Sequence, residues 1–201
     1  QTLLPMLDEI RQMIDLDLHT IDAIAISAGP GSFTGLRIGA ATAKGLGLAL
    51  NLPLVEVPTL EGLAFNLWGT DKLVCPIMDA RRNQVYAAFY MWENDKLIRL
   101  TDHMAESIER VIEIAEMLEQ EVIFLGDGVP VHRERLEQNP AFLFAPAHCN
   151  MQRASAVAAL GAIMAEEGLA KPGNAFELIY LRKSQAERER EARLAKEEAG
   201  E

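Results

Sequence analysis

Only two cysteines, Cys75 and Cys149, occur in 201 residues. They stand far apart and neither belongs to a C-x-x-C pair, so no disulfide framework and no cysteine metal cluster is expected, and both read as reduced thiols. Histidine is scarce too: His19, His103, His132 and His148 are the full set. No two of them have the four-residue spacing that projects a metal-binding pair from one helical face. His148 beside Cys149 is no better, because adjacent side chains diverge on helix and strand alike. No metal and no cofactor is expected. Positive charge is also short: Lys and Arg number 19 against 30 Asp and Glu, a net charge of -11 with a pI near 4.9. That balance excludes a chain that grips a phosphate backbone by itself, since such binding rests on cationic side chains. No apolar run approaches the roughly 18 residues that cross a bilayer, and no signal peptide is read. A cytoplasmic location is the expectation.

At 49% hydrophobic the chain can bury a substantial core, as one large domain or two small lobes. Its organising stretch is the run from Ala23 to Leu50. Residues 23–28 are small or β-branched, as in a strand covered on both faces. Gly29-Pro30-Gly31 breaks the strand, and Ser32 or Thr34 can cap a helix whose first free N–H groups would suit an anion. The spacing of Gly29, Gly31 and Gly35 is one residue longer than the dinucleotide fingerprint, and no Lys-Ser/Thr pair follows to make a P-loop. A tight strand-to-helix turn with no ligand therefore stays open beside the anion reading.

The helix that follows is unusual in composition. Gly35, Gly39, Ala43 and Gly47 lie four apart, and Ala41, Gly45 and Ala49 form the adjacent row. Each interior glycine costs about 1 kcal/mol against alanine, so close packing against a partner, in this chain or another molecule, must offset the loss.

Elsewhere, residues 1–14 read as a helix capped by Thr2, with Leu3, Leu4, Leu7, Ile10 and Ile14 on one side. Opening strands are expected to precede it. Residues 52–58 read as a strand, and Thr59 as the cap of a helix from Leu60 to Trp68. Strands are expected at 73–78, 84–92 and 96–100, the last two joined by an Asn94-Asp95 hairpin. A helix over 107–118, a strand over 122–125, an irregular stretch over 130–152, a helix over 153–168 and an apolar segment at 178–182 complete the reading. Helix, strand, glycine turn thus occurs twice, as in diverged copies. The boundaries are a first lobe at 1–70, a second at 71–182 and a charged tail at 183–201, where Glu189 and Arg193 fit an i,i+4 pair on a solvated helix.

Three blocks taken together, Gly29-Pro30-Gly31-Ser32-Phe33-Thr34-Gly35-Leu36-Arg37, Asp79-Ala80-Arg81-Arg82 and Tyr180-Leu181-Arg182, make the chain resemble the TsaB (YeaZ) family. These are the smaller bacterial partners in making threonylcarbamoyladenosine on transfer RNA. The resemblance implies an α/β fold of the actin/sugar kinase/Hsp70 (ribonuclease H-like) type, with duplicated lobes and a first lobe short of its opening strands. It implies no catalytic residues. The chain would be an accessory subunit that binds the catalytic relative TsaD through a helical bundle, works with the ATPase TsaE, and meets transfer RNA, at adenosine 37, only through that complex. Without TsaD the same surface would pair two copies. Carried onto this sequence, the partner-binding residues are Leu3, Leu4, Leu7, Ile10, Gly35, Leu36, Gly39, Ala40, Ala43 and Gly47, with a vestigial phosphate site at Gly31, Ser32 and Asp79. For Asp79 a turn residue bonding its own backbone is the simpler reading. The competing function is an ATP-binding phosphotransferase of the same fold, using the Ser32 loop and Asp79. A peptidase lacks a metal set and a nucleophile–base pair in this sequence.

Overall fold

The structure, a computed structural model, describes residues 3–182. The Thr2 cap and the charged tail from Lys183 to Glu201 lie outside the described residues. Helix α1 (Leu3–Met13) leads into strand β1 (Ile24–Gly29), helix α2 (Phe33–Leu50), strand β2 (Leu54–Pro58) and the short helix α3 (Thr59–Ala64). Strands β1 and β2 pair in parallel, Ile24 opposite Leu54 and Ser27 opposite Val57. Alternation along them sends side chains to two different helices. Ile24, Ile26, Ala28 and Leu54 meet Ala40 and Ala43 of α2, while Ala23, Ala25, Val55 and Val57 meet Val157 and Leu160 of α6 (Ala154–Glu166).

Both faces of β1 are therefore covered, yet Ile24 to Ser27 are only half-buried. The exposure comes from the edge: among the described residues β1 has β2 as its one strand neighbour. Its other edge opens on a groove of about 480 Å³ lined by Leu3 and Leu7 of α1, Gly35, Leu36 and Gly39 of α2, and Val157 of α6.

The larger sheet has seven strands. β3 (Leu73–Asp79) is central, with β8 (Val122–Leu125) parallel on one side and β9 (Phe142–Phe144) parallel beyond it. On the other side β4 (Gln84–Ala87) and β5 (Tyr90–Glu93) continue one antiparallel register, Ile77 opposite Ala87 and Val74 opposite Tyr90. The single strand expected over 84–92 is broken at Ala88-Phe89, both fully buried. β6 (Lys96–Arg99) and β7 (Met104–Ser107) flank β5 and β4 in turn. The β5–β6 hairpin turns on Asn94 and Asp95, both at positive φ as its two-residue loop requires. Helix α4 (Ile108–Met117) is capped by Ser107, whose Oγ accepts from Arg110 N–H at 3.2 Å.

The stretch read as irregular contains β9 and helix α5 (Gly128–Leu136). Pro130 sits in the first turn of α5, where its missing N–H costs nothing. Val129, His132 and Leu136 face the core on a helical spacing.

Candidate functional site

Helix α1 has an apolar stripe and nothing on which to spend it. No residue of the helix is buried, and Leu4, Met6 and Ile10 are more than half exposed, Met13 more still. Burying one such side chain is worth about 1.5–3 kcal/mol, so this helix leaves several times that unused. A contiguous apolar surface of this kind marks an interaction site.

Helix α2 divides its small residues between two faces. Ala40, Ala43 and Gly47 are buried under the chain's own strands. At Gly47 a Cβ would stand 3.0 Å from the Leu52 carbonyl oxygen and 3.1 Å from Leu54 Cδ2, so its smallness serves the approach of α2 to β2. Gly35 is exposed, Leu36 and Gly39 half-buried beside the groove. The outward stripe is Ile38, Ala41, Gly45, Leu48 and Ala49, all exposed, spaced to share one face. Leu48 is 86% exposed, and nothing lies within 4 Å of a Cβ built on Gly45. Of the sequence-derived residues, Leu3, Leu4, Leu7, Ile10 and Gly35 thus lie at the surface, and Ala40, Ala43 and Gly47 do not.

The Gly31–Ser32 loop and Asp79 do come together. They line a cleft of about 320 Å³ with Met78, Ala80, Arg81, Tyr86 and Asp127. Ser32 Oγ caps α2, accepting from Gly35 N–H at 3.3 Å. Asp79 Oδ1 accepts from Arg81 N–H at 2.8 Å, an Asx turn, and its Oδ2 lies 3.3 Å from Arg81 Nη1. The Asp79 N–H donates to Asp127 Oδ1 at 3.1 Å. Arg81, Arg82 and Asn83 follow, all at positive φ. Both cleft groups are thus engaged locally, Ser32 as a cap and Asp79 as a turn. Among the described residues no three His, Cys, Asp or Glu are grouped to hold a metal, and no helix is long and apolar enough to cross a membrane.

Several polar residues escaped the sequence reading. Thr59 is not the cap of α3 but its first residue, with Pro58 in the cap position. Its buried Oγ1 instead accepts the Gly29 N–H at 3.1 Å, tying β1 to the helix after β2. His132 is buried in α5 with Nε2 unpartnered; burial pulls its pKa down and the nearby Asp79 charge opposes this. His103, Tyr90 and Glu61 form a second, partly buried group. No local spacing announces any of these, because each contact joins residues of different elements.

The family model described as "TsaD: tRNA N6-adenosine threonylcarbamoyltransferase" matches residues 1–189. A Bacillus subtilis protein named tRNA threonylcarbamoyladenosine biosynthesis protein TsaB is 33% identical over 134 residues, which is 67% of this chain and 58% of the relative. The Escherichia coli protein of the same name is 42% identical over 93 residues, 45% of this chain and 40% of the relative. The chain spans less than two thirds of the length of these relatives. A crystal structure from Pseudomonas aeruginosa, described as that of a protein similar to the peptidase YeaZ, superposes with a TM-score of 0.77 at 28% identity, covering 90% of this chain and 83% of that one. The mixed α/β architecture fits an actin/sugar kinase/Hsp70 type of fold.

Proposed function

The chain belongs to the family whose model is described as TsaD, and within it to the TsaB (YeaZ) proteins; from that premise we propose that it is a non-catalytic partner in forming threonylcarbamoyladenosine on transfer RNA. Its role is to present a helical face to the catalytic relative TsaD, within an assembly that includes TsaE. Transfer RNA is reached through that assembly, consistent with a net charge of -11 on this chain. In the absence of TsaD the same face pairs two copies.

One observation carries this reading. Helix α1 has no buried residue and α2 turns the stripe of Ile38, Ala41, Gly45 and Leu48 outward, so both helices offer apolar surface that the chain itself does not bury. Such a face supplies half of a helical bundle, with Gly45 as the point where a partner helix crosses most closely.

The test is co-elution with TsaD on size exclusion. Ala43 is buried, so a charge there reads folding rather than docking. Gly45→Glu and Ile10→Glu place charges at surface positions that docking would bury. Each variant is expected to melt no earlier than the parent and to elute apart from TsaD. A correctly folded double variant that still co-elutes would place the interface elsewhere.

A further inference from the structure

The last described stretch of the chain crosses between the two sheets. Phe176 is buried against α2 and β1. Ile179 N–H then donates to the Ala28 carbonyl at 2.7 Å, at the end of β1. The next residue, Gly29, has φ +117°, and a Cβ on it would collide with the Ile179 carbonyl oxygen. A side chain at Gly29 is thus excluded by its own backbone conformation and by this crossing.

One residue further, the Tyr180 ring lies 5.3 Å from that of Phe33. Arg37 spans the pair: its guanidinium carbon stands 3.8 Å above the Phe33 ring, and its Nε donates to the Tyr180 hydroxyl at 3.4 Å. Two residues beyond, Arg182 Nη1 donates to the Ala80 carbonyl at 2.6 Å. Ala80 belongs to the turn between β3 and β4, in the other sheet.

Four residues, Ile179 to Arg182, therefore join the β1–α2 loop to the β3–β4 turn. Between those anchors lies the 320 Å³ cleft, with Gly31 and Ser32 on one wall and Asp79 and Ala80 on the other. We propose that residues 178–182 are a releasable strap that sets the width of this cleft by tying its two walls together.

The anchors suit a releasable device. Tyr180 is 44% exposed and is held by an aromatic contact with Phe33 and one hydrogen bond from Arg37, while Arg182 is held by one hydrogen bond to the Ala80 carbonyl. Segments held by few buried apolar contacts open well below the free energy of global unfolding. The deeper anchors at Phe176, Leu178 and Ile179 pack on the β1–α2 core and stay in place, so release frees residues 180–182 rather than detaching the chain.

Amide hydrogen exchange on the full chain tests this. Two protected amides report the two walls: Gly29 N–H, bonded to Thr59 Oγ1 at 3.1 Å, and Ala80 N–H, bonded to the Gln84 carbonyl at 2.9 Å. In the Tyr180→Ala/Arg182→Ala variant both are expected to exchange about tenfold faster, with the amides pairing β3 and β8 unchanged. Acceleration confined to residues 176–182, or to one wall alone, overturns the proposal. Should the double variant fail to fold, Arg182→Met and Arg182→Lys carry the same test: Met, which has no donor, is expected to accelerate Ala80 and Lys, which keeps one, to restore most of its protection. Equal exchange at Ala80 in Met, Lys and parent chains also overturns it.

Discussion

The Tyr90 hydroxyl lies 2.8 Å from His103 Nε2, in a group that joins α3 to the edge of the larger sheet. Glu61 Oε1 stands 3.8 Å from the same ring nitrogen and 3.6 Å from Arg99 Nη1, and Arg99 also faces Asp102. Burial pushes the Tyr90 phenol up, with the Glu61 charge adding to the shift. Burial lowers the His103 pKa to about 4, helped by Arg99 and opposed by Asp102. At neutral pH the phenol and the imidazole are therefore both uncharged, and the imidazole tautomer sets which of them donates.

That assignment predicts a pH dependence. The unfolded histidine takes up its proton near 6.5 and the folded one near 4, so between those values the unfolded state binds the extra proton. Stability from the neutral imidazole is present above 6.5 and falls as pH drops toward 4, by at most about 3 kcal/mol. Glu61, raised above 4.5 by burial, acts with the opposite sign: its folded carboxyl protonates first and adds stability as pH falls. The His103 contribution is thus read as a difference between chains. Urea titrations from pH 4 to 7.5 are expected to give a steeper acid loss in the parent than in His103→Gln, which keeps an acceptor for Tyr90 but does not titrate. Parallel curves would refute the assignment.

Two glycines in helices predict changes of opposite sign. Gly161 of α6 presses on Ala25 of β1 so closely that a Cβ there would overlap the Ala25 Cβ. Gly45 of α2 has nothing within 4 Å of the same position. Gly161→Ala is expected to destabilise by about 1–3 kcal/mol through overpacking. Gly45→Ala is expected to stabilise by about 0.5–1 kcal/mol, as the helix sheds a glycine at no steric cost. Denaturant midpoints at constant slope measure both, and a shared sign would mean that α2 or α6 packs otherwise.

Thr59 is the third case. Its hydroxyl is buried and takes the Gly29 N–H, so Thr59→Val preserves shape but strands a backbone donor. The expected cost is about 1–3 kcal/mol, with Thr59→Ser close to the parent. Equal loss in both variants would assign the effect to packing instead.

Residues with a local signature were legible in the chain. Ser32 caps the helix expected of it, the helix expected over 107–118 forms as α4, Asn94-Asp95 turns the hairpin, and α2 ends at Leu50 with Asn51 in the left-handed conformation that stops it. What stayed hidden depends on tertiary context. Helix α5 mixes Val129, His132 and Leu136 with exposed Arg and Glu, so its stripe is too weak to read beside Pro130. The two faces of α2 illustrate the same limit at the candidate site. One run of small residues fits both a fold-internal and an external partner, and only the positions of Leu52 and Leu54 against Gly47, with open space at Gly45, divide it between the two.

The exposed stripe of α1 leads to the last prediction. Leu4, Met6 and Ile10 are each more than half exposed, so substituting them removes little buried contact, and surface changes of this kind usually alter stability by no more than about 0.5 kcal/mol. In isolation the apolar face has water or another copy to meet, and a two-fold pairing buries it on both partners at once. Sedimentation of the isolated chain is expected to show a mass that rises with concentration toward a dimer, and Leu4→Glu/Ile10→Glu is expected to hold it monomeric, with a melting temperature that matches the parent's at dilutions where both are monomeric. A variant that dimerises as the parent does would remove α1 from the self-association surface. A variant that melts early would mean that α1 is packed against the chain in solution, which would leave the face without its main argument.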